Sequence, residues 1–172
     1  MTSPTLQELN AEASRRNLLL RLQVGRPLGA AWTLRVGVAR RRQEGTGSGG
    51  LVLLGELKGW ALPTAMGLRL DTLRVQGEHT AAVGPLICAA TFAWALEATP
   101  CRQATILAIR DSAAQHRRLV RYFRGLGFSP LRELGGGPAD LAPRLIWGGC
   151  GLLMRADCAE VWRRSVRRLA LV

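Results

Sequence analysis

LRLDTLRVQGEHTAAVGPLICAATFAWALEATPCRQATILAIRDSAAQHRRLVRYFRGLGF (Leu68–Phe128) decides the fold. Its first eight residues alternate. Leu68, Leu70, Thr72 and Arg74 point one way; Arg69, Asp71, Leu73 and Val75 point the other, as in a strand with partly buried faces. Gln76 to Gly84 is a loop of small residues. From Pro85 the chain is apolar almost all round, which predicts a buried helix opened by a proline at its first position and ended before Pro100. TILAI (Thr105–Ile109) reads as a central strand covered on both faces. Ser112 to Leu126 is amphipathic. Leu119, Tyr122, Phe123 and Leu126 form one stripe, Arg117, Arg118, Arg121 and Arg124 lie off it, and Gly127 stops the helix. Strand, loop, buried helix, strand, helix is a βαβα unit, so the two strands should be parallel with a right-handed crossover. The loop entering the buried helix is where such units meet phosphate, because free N–H groups and the helix dipole converge there. Gly77 and Gly84, with Ala81 and Ala82 between, allow close approach; a tight turn alone would use the same residues.

Outward from this unit the elements are shorter. Thr5–Asn17 predicts a helix, and Leu18–Leu22 extends it or starts a strand. Trp32–Ala39 and Leu51–Trp60 predict strands of a hairpin whose loop runs from Arg40 to Gly50, with its most mobile part at Thr46–Gly50. Ser129–Glu133 reads as a brief strand and Gly135–Pro143 as loop. Arg144–Trp147 and Gly151–Met154 read as short strands. Asp157–Leu171 reads as a last helix, with Val161, Trp162, Val166 and Leu169 against Arg163, Arg164, Arg167 and Arg168.

The 172 residues, 48% of them apolar, suit one domain spanning 1–172 with a real core. No apolar run is long enough to span a bilayer, and the polar N-terminus does not read as a secretory signal, so a cytoplasmic protein is expected. The net charge of +12 rests almost wholly on arginine, Lys58 being the one lysine, and attracts polyanions. Aromatic, Asn and Gln residues are not interleaved with the basic stripes, so there is no clear nucleic-acid signature. Cys88, Cys101, Cys150 and Cys158 lack CxxC spacing and a neighbouring histidine; no metal site is expected, and the thiols read as free.

Leu73-x-Val75, the loop ending in Gly84, and Leu119-x-x-Tyr122-Phe123-x-x-x-Gly127-Phe128 resemble the GNAT superfamily of acyl-CoA-dependent N-acyltransferases. The likeness is strongest over residues 32–132. DSAAQHRRLVRYFRGLGF looks like a divergent branch of that superfamily found in cyanobacteria and plastids. The resemblance implies a mixed α/β fold, a central mixed sheet with helices on both faces. It also implies acetyl-CoA as cofactor and an amine as acyl acceptor. Leu73, Val75, His79, Ala82, Val83, Gly84, His116 and Phe123 would line the cofactor. Asp71 would be the general base, with Glu78 or a water chain as substitutes, and Tyr122 the acid for the departing thiolate. Several positions depart from the family pattern. His79 stands where Gln or Arg is usual, Ala82 where Gly is usual, and His116 where Asn is common. Phe123 occupies the place of the Tyr whose hydroxyl commonly protonates the thiolate. Tyr122 is adjacent but turned about 100° around the helix. An alternative stays open: a GNAT-like binding or assembly protein without catalysis, holding an acidic protein partner on its arginine surface. Each candidate also has a plainer reading, Asp71 as the partner of Arg69 or Arg74, the histidines as helix-edge residues, and Tyr122 as a core aromatic.

Overall fold

The computed structural model describes residues 5–27, 29–42 and 50–172. Helix α1 (Leu6–Arg15) opens with a capping box in which Thr5 and Glu8 satisfy each other's backbone donors. Strands β1 (Leu18–Gly25), β2 (Trp32–Arg41), β3 (Leu51–Ala61) and β4 (Leu68–Val75) follow as an antiparallel meander. Then come α2 (Val83–Ala98), β5 (Gln103–Ile109), α3 (Ala113–Leu126) and β6 (Ser129–Leu134). A 3-10 turn at Pro138–Asp140 leads into α4 (Leu141–Trp147), and the chain ends with β7 (Gly151–Asp157) and α5 (Cys158–Ala170). The seven strands form one sheet in the order β1-β2-β3-β4-β5-β7-β6, antiparallel except where β4 runs parallel to β5. The expected mixed α/β class is therefore the observed one. The tip expected at Thr46–Gly50 lies, Gly50 apart, outside the described residues.

Helix α2 organises the core. Every residue from Val83 to Ala95 is buried. One side lies on the sheet, whose Leu34, Val36, Val38, Leu57, Leu68 and Leu70 are buried beneath it; α1 and α5 cover the rest. Helix α3 packs on β5 and against α5, and Phe128, just beyond its end, is edge-on to Phe92 of α2 at 6.4 Å between centroids. Its Gly127, at φ 104°, ends the helix in the left-handed conformation expected of glycine there.

The opposite face of β1–β4 is largely open. Arg35 and Lys58 flank Glu56 on it. Arg69 also points that way, its guanidinium 4.9 Å from the Trp60 ring and 4.3 Å from the Trp147 ring. That second stack holds α4 on the open face.

Three expectations need correcting. β5 is not covered on both faces: Ala104, Ile106 and Ala108 are buried on one, while Thr105, Leu107 and Ile109 on the other are half-buried. Arg144–Trp147 is helical, not a strand. Its apolar run suggested extended chain, yet Pro143 fits within a first helical turn and Gly148, at φ 79°, supplies the stop. The alternation drawn through Leu68–Val75 also slips. Lys58 pairs with Thr72 and Gly59 with Leu70, so Asp71 is the extra residue of a β-bulge. Leu73 and Val75 then stand opposite Leu57 and Gly55, on the α2 side with Leu68 and Leu70 rather than beside Arg69.

Candidate functional site

The bulge coincides with a parting of strands. β4 and β5 pair only from Leu68–Ala104 to Leu70–Ile106. β4 continues to Val75 and β5 to Ile109, but among the described residues no ladder joins them there. A wedge opens toward the carboxyl ends of two parallel strands, and it exposes strand-edge N–H and C=O groups that must find partners elsewhere.

The loop from Gln76 carries the chain from the mouth of this wedge to α2. Gly77 and His79 take positive φ values of 92° and 56°. The Val83 amide donates to the Thr80 carbonyl at 2.9 Å, which closes the turn into the helix. No side chain caps α2, and its first turn holds no acid. With the Val83 amide used in the turn, the amides of Ala82 and Gly84 and the helix dipole are left for an anion. Gly84 is tight: a Cβ there would lie 2.7 Å from the Tyr122 hydroxyl and 3.9 Å from Val75 Cγ2.

The structure brings Val75, Ala82, Val83, Gly84 and Tyr122 together, with Leu73 one step back along β4. His116 sits in the first turn of α3, its Nδ1 3.3 Å from the Ile109 carbonyl, at the far side of the wedge mouth. Asp71 faces the open side of the sheet, in a shallow dish with Arg35, Lys58 and Thr33. Removal of water by its neighbours raises its carboxyl above the usual range, while Arg69 and a hydrogen bond from Trp60 pull it back. Arg69 is shifted down by its own burial between the two tryptophans.

Tyr122 and Phe123 exchange the places expected from the motif. Phe123 is buried in the core against Phe128, 5.8 Å between centroids. Tyr122, one residue earlier, reaches the N-terminal turn of α2. Its hydroxyl has no exposed surface and no partner in good hydrogen-bond geometry, the Cys88 thiol lying close by, and burial drives its pKa far upward. The Cys88 thiol beside it is likewise pushed up to about 12 by burial. Arg168 of α5 lies over the tyrosine ring at 5.7 Å.

His79 turns away from α2. Its carbonyl accepts from Arg40 Nη2 at 3.3 Å, and with Gly77 and Glu78 it lines a cleft of about 1130 Å³ bounded by α1, β1, β2 and β3. The arginine run at the end of β2, read in the sequence as part of a loop, forms the other wall. Its signal was the charge itself, three consecutive arginines closing an alternating strand.

No family model and no curated protein sequence matches the chain. Among solved structures it is similar to an uncharacterized protein from Bacillus halodurans, determined at 1.55 Å, with 12% identity and a TM-score of 0.49. The match covers 80% of this chain and 66% of that one. No helix among the described residues is long and apolar enough to cross a membrane, and no group of His, Cys, Asp and Glu among them could hold a metal ion.

Proposed function

We propose that the chain is an acyl-CoA-dependent N-acyltransferase of GNAT type that moves an acetyl group to an amine. The parting of β4 from β5 directly before an uncapped helix N-terminus carries this reading. An extended, amide-bearing arm can pair with the free edge of Asp71–Val75, and a pyrophosphate can lie on the amides of Ala82 and Gly84. Both features fit acetyl-CoA, which when bound supplies an acyl thioester. Leu73 and Val75 give the arm an apolar wall on the α2 side. Asp71 faces the other side of the sheet, where an amine can approach without crossing the cofactor's path. As an ionised carboxylate it takes the proton of the attacking amine, and its raised pKa makes it a better base. Tyr122 keeps its proton but is sealed against Gly84, so in this reading it supports the anion-binding turn and water protonates the leaving thiolate.

The experiment uses Ala82→Asp and Asp71→Asn. Acetyl-CoA at ~100 times its dissociation constant stabilises a binding-competent fold by about 2.7 kcal/mol, a rise of roughly 5–11 °C in melting temperature for a chain this size. Ala82→Asp places a carboxylate at the helix start, which favours the helix itself by ~0.3–1 kcal/mol but competes with phosphate. It should melt no lower than wild type and lose the acetyl-CoA shift. Asp71→Asn should keep the shift and lose turnover, together with the rising limb of the pH–rate profile that ionisation of Asp71 creates above its ordinary value of 3.8. Absence of any shift at millimolar acetyl-CoA overturns the reading.

A second reading has one observation in its favour. The core position of Phe123 and the sealed Tyr122 hydroxyl leave no phenol at the wedge. A GNAT-like protein that binds an acidic partner without catalysis would show this, and would bind acetyl-CoA weakly or not at all and turn none over.

A further inference from the structure

We propose that the cleft behind the β4–α2 loop is a second anion site, which takes a phosphate-bearing small molecule and is separate from the α2 N-terminus. Its walls come from α1, the start of β1, the end of β2, the start of β3 and the loop. Arg16, Arg40, Arg41 and Arg42 line it together with His79, against Glu78 as the sole acid among the described lining residues.

These cations are not equivalent. Arg16 is spent: it donates to Glu12 Oε1 at 2.7 Å and to the Val172 and Leu169 carbonyls at 2.6 and 2.9 Å, tying α1 to the end of α5. Arg40 holds the loop through the His79 carbonyl. Arg41 and Arg42 are exposed, and neither has a hydrogen-bonded or carboxylate partner for its guanidinium among the described residues. Both line the cleft from the end of β2, and their forked donors match the oxygens of a phosphate. The cleft is large enough for a nucleotide-sized ligand. Among the described lining residues there is no Phe, Tyr or Trp to offer a broad stacking face for a base, and the concave shape does not suit a flat lipid surface. The phosphate group is therefore the recognised element. The inference does not depend on the acyltransferase reading.

Calorimetry with inorganic pyrophosphate at low ionic strength tests it. Wild type should bind, and R41A/R42A should weaken binding by roughly tenfold or more, as expected for loss of charge-assisted hydrogen bonds. Arg41→Gln with Arg42→Gln should do the same, and circular dichroism checks that both variants fold. R163A/R167A removes equal charge from exposed positions on α5 and should leave the affinity within about twofold. Ala82→Asp, which blocks the helix N-terminus, should also leave it within about twofold. Equal weakening by the α5 pair would reduce the effect to the overall field of the protein and overturn the site. So would loss of binding in Ala82→Asp with retention in R41A/R42A, or a wild type that binds no pyrophosphate.

Discussion

Gly84→Ala is the perturbation whose outcome the geometry specifies most closely. Gly84 is the second residue of α2. An added methyl would lie 2.7 Å from the Tyr122 hydroxyl but 3.7 Å from the ring carbon bearing it. The ring has little room to retreat, since Phe123 packs edge-on at 5.8 Å. Overpacking of this kind costs about 1–3 kcal/mol, and the better helix propensity of alanine returns up to ~1 kcal/mol. The net loss should be about 1–2 kcal/mol, or roughly 2–8 °C in melting temperature at this chain length. Tyr122→Phe removes a buried hydroxyl that has no partner in good hydrogen-bond geometry, so it should be neutral or stabilise by up to ~1 kcal/mol. In that background the nearest atom to the new methyl is the ring carbon, at ordinary contact distance. Gly84→Ala should then reverse sign and stabilise. Urea denaturation of the four proteins in the cycle measures the coupling, expected at about 1–3 kcal/mol with unchanged m-values. If Gly84→Ala destabilises equally with and without the hydroxyl, Tyr122 is not seated against the first turn of α2, and the proposal that it supports an anion-binding turn fails.

Two further outcomes can be checked with simple reagents. Gly59→Ala would drive a methyl into the Arg69 carbonyl on β4, a backbone atom that cannot yield, and should cost about 3 kcal/mol or more. Gly125→Ala meets only the mobile end of Arg168 and should change stability by less than ~1 kcal/mol; the reverse ranking in denaturant melts would refute the strand and helix placements. Iodoacetamide on the native protein at pH 8 should modify Cys150 alone. Cys88 and Cys158 are buried with thiols pushed up to about 12, and Cys101 is fully buried, so a second rapid adduct by mass spectrometry would contradict the packing around α2 and α5.

The elements around α2 were legible because burial there is nearly complete. A helix apolar on every side that ends before Pro100, and an amphipathic helix stopped by Gly127, leave few alternatives, and the alternation of Leu68–Val75 marks the bounds of β4 to the residue. Legibility fell where one side of an element faces water. On α4, Leu141, Leu145 and Ile146 are exposed, so the rule that apolar residues mark a buried strand pointed the wrong way. The helix is instead tied down by Trp147 on Arg69, a pair 78 positions apart that no local pattern contains.

The slip at Asp71 is the instructive case, because its trace was present. The apolar residues of β4 are Leu68, Leu70, Leu73 and Val75, spaced two, three, two. A flat strand would scatter these across both faces. A strand with one extra residue puts all four on one face, and pairing with β3 does that. The same extra residue turns Asp71 toward the open face at the point where β4 leaves β5. Read as plain alternation, Leu68–Val75 is a strand with an acid on it. Read with the bulge, it separates an apolar wall from a carboxylate on the opposite side, and the proposed acyl transfer to an approaching amine would use that division.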